Sequence, residues 1–303
     1  IVSGCLAQRH KDELLKEIPE VDAFLVAADN QNICQIIEKL YGVEQSKPKS
    51  KLGRIFTSRG AYAYLKIAEG CSNACSYCTI PRIKGRYQSY PIDEIVDEAK
   101  YLADNGVKEL IVVAQDVTRY GEDLYGKNRL VDLCQRLAKI DKIKWIRLHY
   151  AYPEKTDDNL LNFIEEEPKM CKYLDIPLQH IDDRILKSMR RRMSEEDTRK
   201  LIDKLTSEYH NIELRTTFIV GYPSETKADF EKLCDFVKKT RFDYAGFFPY
   251  YREENTPSYF MEGQVSEFTK KRRLKKIQKI QSNVVTEKTK EKILLLPEPY
   301  RNC

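Results

Sequence analysis

Tyr64-Leu-Lys-Ile-Ala-Glu-Gly-Cys71-Ser-Asn-Ala-Cys75-Ser-Tyr-Cys78 is the stretch on which the fold turns. Its opening, Tyr64–Ala68, is a mostly apolar run of strand length. Three cysteines follow at the spacing C-x3-C-x2-C, in the loop leaving that strand. The chain has nine cysteines, and the other six, Cys5, Cys34, Cys134, Cys171, Cys234 and Cys303, stand singly. An odd count in a long chain without a secretory signal argues against a disulfide framework. Structural zinc takes four ligands, as paired C-x2-C units or with histidines nearby. Here the next cysteine is Cys134 and the next histidine His149, both far along the chain. Ferredoxin-type clusters also take four cysteines. Three thiolates on a 4Fe–4S cluster leave one iron open, able to bind an amino and a carboxylate group. A zinc site completed by a remote residue is the alternative.

Working outward, the same alternation repeats. Strand-like runs fall at Tyr64–Ala68, Leu110–Ala114, Trp145–His149, Tyr173–Leu178, Leu214–Val220 and Tyr244–Pro249. Amphipathic stretches lie between them at Ile92–Ala103, Leu130–Ile140, Asp183–Met189, Ser194–Tyr209 and Lys227–Lys239. Ser194 and Thr226 read as helix starts. Repeated βα units imply parallel strands. Six units are too few for a closed eight-stranded barrel, so a partial barrel or a doubly wound sheet is expected. In both, active groups gather at the C-terminal ends of the strands.

Residues 1–43 form a smaller pattern of strand (Ile1–Ser3), helix (Asp12–Glu17), strand (Ala23–Ala27) and helix (Asn30–Leu40). Polar residues from Val43 to Arg54 read as a linker. Residues 270–292 carry ten Lys or Arg against two Glu, with Leu274, Ile277, Ile280 and Val284 at helical spacing. They predict a basic amphipathic helix that either touches RNA or, as the preferred reading, packs its apolar stripe and solvates the rest, followed by a tail of no readable period.

The net charge of +5 comes from 52 basic and 47 acidic residues, too even a balance to indicate nucleic acid by itself. No apolar run approaches the roughly 20 residues that span a bilayer. No membrane association is expected, and a cytoplasmic location is the default.

The cysteine triplet after the first strand, with Tyr77 just before its last member, resembles the radical S-adenosylmethionine (SAM) superfamily. That resemblance implies a partial (β/α)6 TIM-like barrel holding a 4Fe–4S cluster on Cys71, Cys75 and Cys78. One-electron reduction of SAM would then give methionine and a 5′-deoxyadenosyl radical. Further stretches are similar to the methylthiotransferase family: Tyr64–Cys71, Ile80-Pro-Arg82 with Gly85-Arg86, Asp175-Ile-Pro-Leu-Gln-His180, and Arg215–Thr226. The segment Ala114-Gln-Asp-Val-Thr-Arg-Tyr-Gly121 resembles the branch that modifies an aspartate of small-subunit ribosomal protein S twelve (RimO type). The tRNA (isopentenyladenosine) methylthiotransferases are the alternative branch. A metal-stabilised ribosome- or RNA-binding fragment without radical chemistry is the alternative of another class.

The resemblance implies an organisation into residues 1–43 (end of an N-terminal α/β domain), 44–58 (linker), 59–265 (radical SAM barrel) and 266–303 (basic helix and tail). The chain is expected to be truncated at both ends, short of a C-terminal RNA-binding-type barrel. Gly4-Cys5-Leu-Ala-Gln8 matches the segment carrying the last of three cysteines for a second 4Fe–4S cluster, expected to be missing or defective here. Cofactor contacts are implied at Tyr77, Gln115, Asp116, Gln179, Ile219 and Gly221. Within the run Arg190–Arg192, Arg191 is the candidate for the cofactor's carboxylate. For several of these a turn, cap or packing role competes, for His180 especially. His149, Tyr150 and Tyr152 could line the substrate opening. Cys34, Cys134, Cys171 and Cys234 read as buried packing residues. The partners implied are the small ribosomal subunit and an electron donor such as flavodoxin or ferredoxin, with a monomer favoured.

Overall fold

The computed structural model describes residues 1–26, 33–42 and 60–294. The 44–58 linker and the tail beyond 294 lie outside the described residues. An N-terminal unit comprises β1 (Val2–Ser3), α1 (Cys5–Glu17), β2 (Phe24–Leu25) and α2 (Ile33–Tyr41), with β1 and β2 parallel. Helix α1 starts at Cys5, seven residues before the expected Asp12, and kinks at His10.

The main body is built on β3 (Tyr62–Lys66), with a small antiparallel pair β4 (Ala68–Glu69) and β5 (Gln88–Ser89) flanking α3 (Ile80–Lys84). It continues through α4 (Ile92–Asp104), β6 (Glu109–Val113), α5 (Glu122–Tyr125), α6 (Leu130–Ala138) and β7 (Trp145–Leu148). Then come α7 (Asp158–Glu166), β8 (Tyr173–Asp175), α8 (Asp183–Ser188), α9 (Glu195–Ser207) and β9 (Glu213–Val220). Last are α10 (Lys227–Thr240), β10 (Tyr244–Pro249) and α11 (Glu267–Leu294). The larger strands pair in parallel as β3-β6-β7 and β8-β9-β10. A parallel bridge between Ile146 and Met170 joins the two triplets. Six parallel strands in chain order give the partial barrel rather than the doubly wound sheet, whose order would reverse at a switch point.

Side chains alternate along each strand. Leu214, Thr216, Phe218 and Val220 of β9 are buried towards the helices. Phe218 stacks on Phe247 at 5.8 Å and meets Phe236 and Phe242 edge-on. On the opposite face stand Arg147, Tyr173, Asp175, Arg215 and Tyr244. There Arg147 lies 4.9 Å over the Tyr173 ring, and Tyr173 and Tyr244 lie 6.4 Å apart.

Helix α11 buries Ile277 and Val284, and its Gln281 Nε2 donates to the Phe242 carbonyl at 2.8 Å. Packing of the apolar stripe is therefore what this helix does in the fold. Helix α7 was not expected, although Leu160, Leu161 and Ile164 form its buried face. Cys134 and Cys234 are buried as expected, whereas Cys34 is exposed on α2 and Cys171 half-buried.

Ser194 and Thr226 each close a capping box, at α9 and α10. The Ser194 hydroxyl accepts from the Asp197 N–H at 3.0 Å. Ser194→Ala is expected to cost about 1 kcal/mol. The check is the denaturant midpoint, which should fall at unchanged slope.

Candidate functional site

The cysteine loop leaves β4 through Gly70, whose φ of +74° lies in the left-handed region. A Cβ there would collide with the Arg86 carbonyl and lie 2.8 Å from the Gly85 oxygen, so only glycine lets the two backbone segments meet. Gly85 in turn accepts from the Cys71 N–H at 3.1 Å, and Ser72 Oγ accepts from the Tyr87 N–H at 3.2 Å. On its far side the loop is fixed by Ser76, which is fully buried. Its N–H donates to the Met189 carbonyl at 3.1 Å, and its hydroxyl donates to the Ser188 carbonyl at 2.8 Å. Its carbonyl accepts from the Ser258 N–H at 2.9 Å.

Cys71, Cys75 and Cys78 are free, half-buried thiols on one cavity of about 580 Å3 at the C-terminal ends of the strands. The Asn73 N–H points at Cys71 Sγ (3.5 Å) and the Ile80 N–H at Cys78 Sγ (3.4 Å). The Tyr152 hydroxyl lies 2.9 Å from Cys75 Sγ. Among the described residues no three His, Cys, Asp or Glu side chains converge on a single ion. A 4Fe–4S cluster does not need such convergence, because each thiolate binds a different iron. The donor set and the room beside it fit a cluster with an organic ligand on its open side.

Of the expected contacts, Tyr77, Gln115, Gln179, Arg191 and Ile219 line this cavity. Gln115 Oε1 is buried without a hydrogen-bond partner. Gln179 has a φ of +72°, Tyr150 +65° and, within the loop, Ala74 +52°. Left-handed residues at about 1 kcal/mol or more each are held where several strand ends meet the cavity. Arg191 is buried, stacks 4.0 Å over the Tyr152 ring and donates from Nη2 to the Pro177 carbonyl at 2.6 Å. Its Nη1 lies 4.0 Å from Cys75 Sγ. Arg191 thus braces the thiol loop.

Two of the expected contacts stand outside this lining. Asp116 is fully buried but does not line the cavity. Its oxygens accept from Asn73 Nδ2 (2.9 Å), the Thr118 N–H (3.1 Å) and the Thr118 hydroxyl (2.5 Å). It caps the turn after β6 and ties that turn to the cysteine loop, while burial pushes its carboxyl above the usual range. Gly221 is likewise outside the lining. Its N–H donates to Glu225, and the Lys270 side chain packs where its Cβ would be. His180 is buried beside Glu225 and accepts from the Asp182 N–H at 3.0 Å, a structural role. Cys5 sits exposed at the first turn of α1. The same helix reaches the cavity rim through Arg9, which pairs with Glu253 at 2.5 Å.

Sequence reasoning missed Phe248, Thr217 and Arg215 in the lining. Strand alternation could have found the last two, since Arg215, Thr217 and Ile219 share one face of β9.

Burial raises the Cys71 thiol and pushes Cys78 up to about 11. Without metal these groups stay protonated at pH 8, and metal loading must release their protons. In the metal-free protein at pH 8, iodoacetamide should label Cys78 at least about ten-fold more slowly than in the unfolded chain. Mass spectrometry of time points checks this.

Residues 65–237 match the family model of the Radical SAM superfamily. The ribosomal protein uS12 methylthiotransferase RimO of Lachnoclostridium phytofermentans is 45% identical over 301 residues, covering 97% of this chain and 68% of that protein. Its namesake in Citrifermentans bemidjiense is 50% identical over 293 residues, covering 94% of this chain and 65% of that protein. Among solved structures, the radical S-adenosylmethionine methyltransferase TsrM from Kitasatospora setae, with tryptophan and a SAM analogue bound, aligns at TM-score 0.62 and 15% identity. That alignment covers 81% of this chain and 54% of TsrM. Coproporphyrinogen III oxidase (HemN) from Escherichia coli aligns at TM-score 0.56 and 15% identity, over 75% of this chain and 54% of HemN. These two likenesses concern the fold, whereas the alignments to the uS12 methylthiotransferases run past residues 65–237 of this chain on both sides. The chain belongs to the radical SAM superfamily and, within it, to the ribosomal protein uS12 methylthiotransferases.

Proposed function

We propose that this chain adds a methylthio group to an aspartate of ribosomal protein uS12, with Cys71, Cys75 and Cys78 holding the 4Fe–4S cluster and SAM seated beside them. The observation that carries this reading is the meeting of three free thiols, an unpartnered Gln115 oxygen and two guanidinium groups on one cavity. When bound, the cluster supplies the electron that cleaves SAM.

The chain's own residues supply position, charge and shelter. The N–H groups of Asn73 and Ile80 offset charge on the sulfurs of Cys71 and Cys78. Arg191 and the Tyr152 hydroxyl do so at Cys75. Gln115 and Gln179 offer amide donors and acceptors to a polar ligand. Tyr77, Ile219 and Phe248 give walls on which a flat ring can lie while water is displaced. Asp116 and Gly221 hold the frame. Residues 59–265 would carry the chemistry, with residues 1–43 docked at the rim through Arg9 and the helix of 266–303 packed outside the barrel. The reading includes a monomeric cytoplasmic enzyme and a flavodoxin or ferredoxin as electron donor.

The test starts from anaerobically reconstituted protein. About four irons per chain for this cluster, an EPR signal that shifts with SAM, and 5′-deoxyadenosine release are expected. Incubation with uS12 should then add a methylthio group at one aspartate. Zinc in place of iron, or a signal indifferent to SAM, would overturn the cofactor reading. Methylthiolated tRNA with unmodified uS12 would overturn the substrate.

A further inference from the structure

The charged residues lining the cavity are Arg191 and Arg215, with no carboxylate among them. The two guanidinium groups are committed differently. Arg191 is buried and occupied by Tyr152, Pro177 and the thiol loop. Arg215 keeps a third of its side chain exposed. Its Nη1 donates to Asp175 Oδ2 at 2.6 Å. Asp175 is almost wholly buried and sits at the end of β8, next to β9. Arg215 also makes a side-chain hydrogen bond to Tyr173. A guanidinium has five N–H donors in a rigid fork, so these two contacts fix its plane and leave further donors for a ligand.

Its position also differs. Arg215, Thr217 and Ile219 point the same way, and Ile219 stands level with Tyr77 and Cys78 at the mouth. At about 3.3 Å per residue, Arg215 lies roughly 13 Å further down the strand. Its neighbour on this inner face, Arg147, is likewise paired, with Glu109 at 2.7 Å. A ligand reaching down from the thiol loop therefore meets one guanidinium with open donors.

We infer that Arg215, oriented by Asp175, receives the carboxylate of the substrate side chain and so selects an acidic residue over its amide. The inference rests on the proposed uS12 aspartate substrate and assigns the residue that reads it. Asp175 is a positioning residue, because it acts through Arg215. A bidentate guanidinium–carboxylate pair is charge-assisted, whereas an amide offers a neutral oxygen and two misplaced donors. The cavity's other guanidinium, Arg191, is already held by Pro177 and Tyr152 beside the thiol loop, so without Arg215 the preference for the acid should fall away.

The test uses the reconstituted full chain with SAM and two labelled uS12 peptides, one with the target aspartate and one with asparagine there. Fluorescence anisotropy gives both dissociation constants. The expected preference for aspartate is about ten-fold in the unaltered protein, falling to about one in Arg215→Gln. The asparagine peptide should bind both proteins alike, an outcome that general damage to the site would not give. Arg215→Lys, which keeps the charge without the fork, should retain part of the preference and serves if the glutamine variant does not fold. A preference unchanged in Arg215→Gln would overturn the role of Arg215 while leaving the substrate reading intact. The absence of any preference in the unaltered protein would overturn both.

Discussion

Cys78→Ala is expected to yield a folded protein that takes up iron and sulfide only at background and releases no 5′-deoxyadenosine from SAM. The Cys78 thiol lies on the cavity and belongs to neither hydrophobic core cluster of the barrel, so its loss leaves the packing of the fold untouched. It does remove one of the three proposed anchors, and in a 4Fe–4S cluster each thiolate binds a different iron, so a neighbour cannot replace it. The matched control is Cys234→Ala. Cys234 lies on the buried face of α10 in the main core, so that variant should lose stability yet keep its iron. Iron assay, EPR and thermal melting of the two variants together separate a ligand from a packing residue. Full iron in Cys78→Ala would remove this cysteine from the cluster.

Gly70→Ala should produce the second large effect without touching a ligand. Alanine must either adopt a φ of +74° or swing the chain away from the Arg86 carbonyl. Either route disturbs the bond from the Cys71 N–H to Gly85 that sets the first thiol. Backbone strain and the steric clash together should cost roughly 3 kcal/mol. For a body of this size that lowers the melting temperature by about 5 °C or more, and iron occupancy should fall with it. A melting temperature within about 1 °C of the unaltered protein would show that the loop relaxes freely, against the crossing described here.

Much of the barrel could be read from the sequence because strand and helix have different periods and each run was long. Leu110–Ala114 is a continuous apolar run of strand length, and Leu214–Val220 is rich in β-branched residues that alternate between buried and half-buried. Strand β8 ends at Asp175 instead of Leu178, since Pro177 donates no hydrogen bond and Gln179 turns left-handed. Helix α7 escaped because its acid-rich surface hides the short stripe of Leu160, Leu161 and Ile164. The metal-ligand candidates were legible because their spacing is local. The walls of the cavity were less so, since a residue's facing depends on partners far along the chain. Asp116 and Gln115 are neighbours at one strand end, yet one turns inward to cap and the other lines the cavity. Arg191 was readable as a cation near the site. Its stacking on Tyr152, 39 positions earlier, is a product of tertiary packing alone.

The anchoring of Ser76 bears on the order of events during synthesis. The three cysteines lie within eight residues, so an emerging nascent chain presents them together and early. The mould that shapes their loop is supplied much later, by the Ser188 and Met189 carbonyls, the Tyr222 hydroxyl and the Ser258 N–H. Until residue 258 has been made, the loop lacks the contacts that hold Ser76, and only its near side, at Gly85 and Tyr87, can be set. A cluster that needs all three thiols in their final places is therefore expected to seat only after the barrel's last strand has emerged.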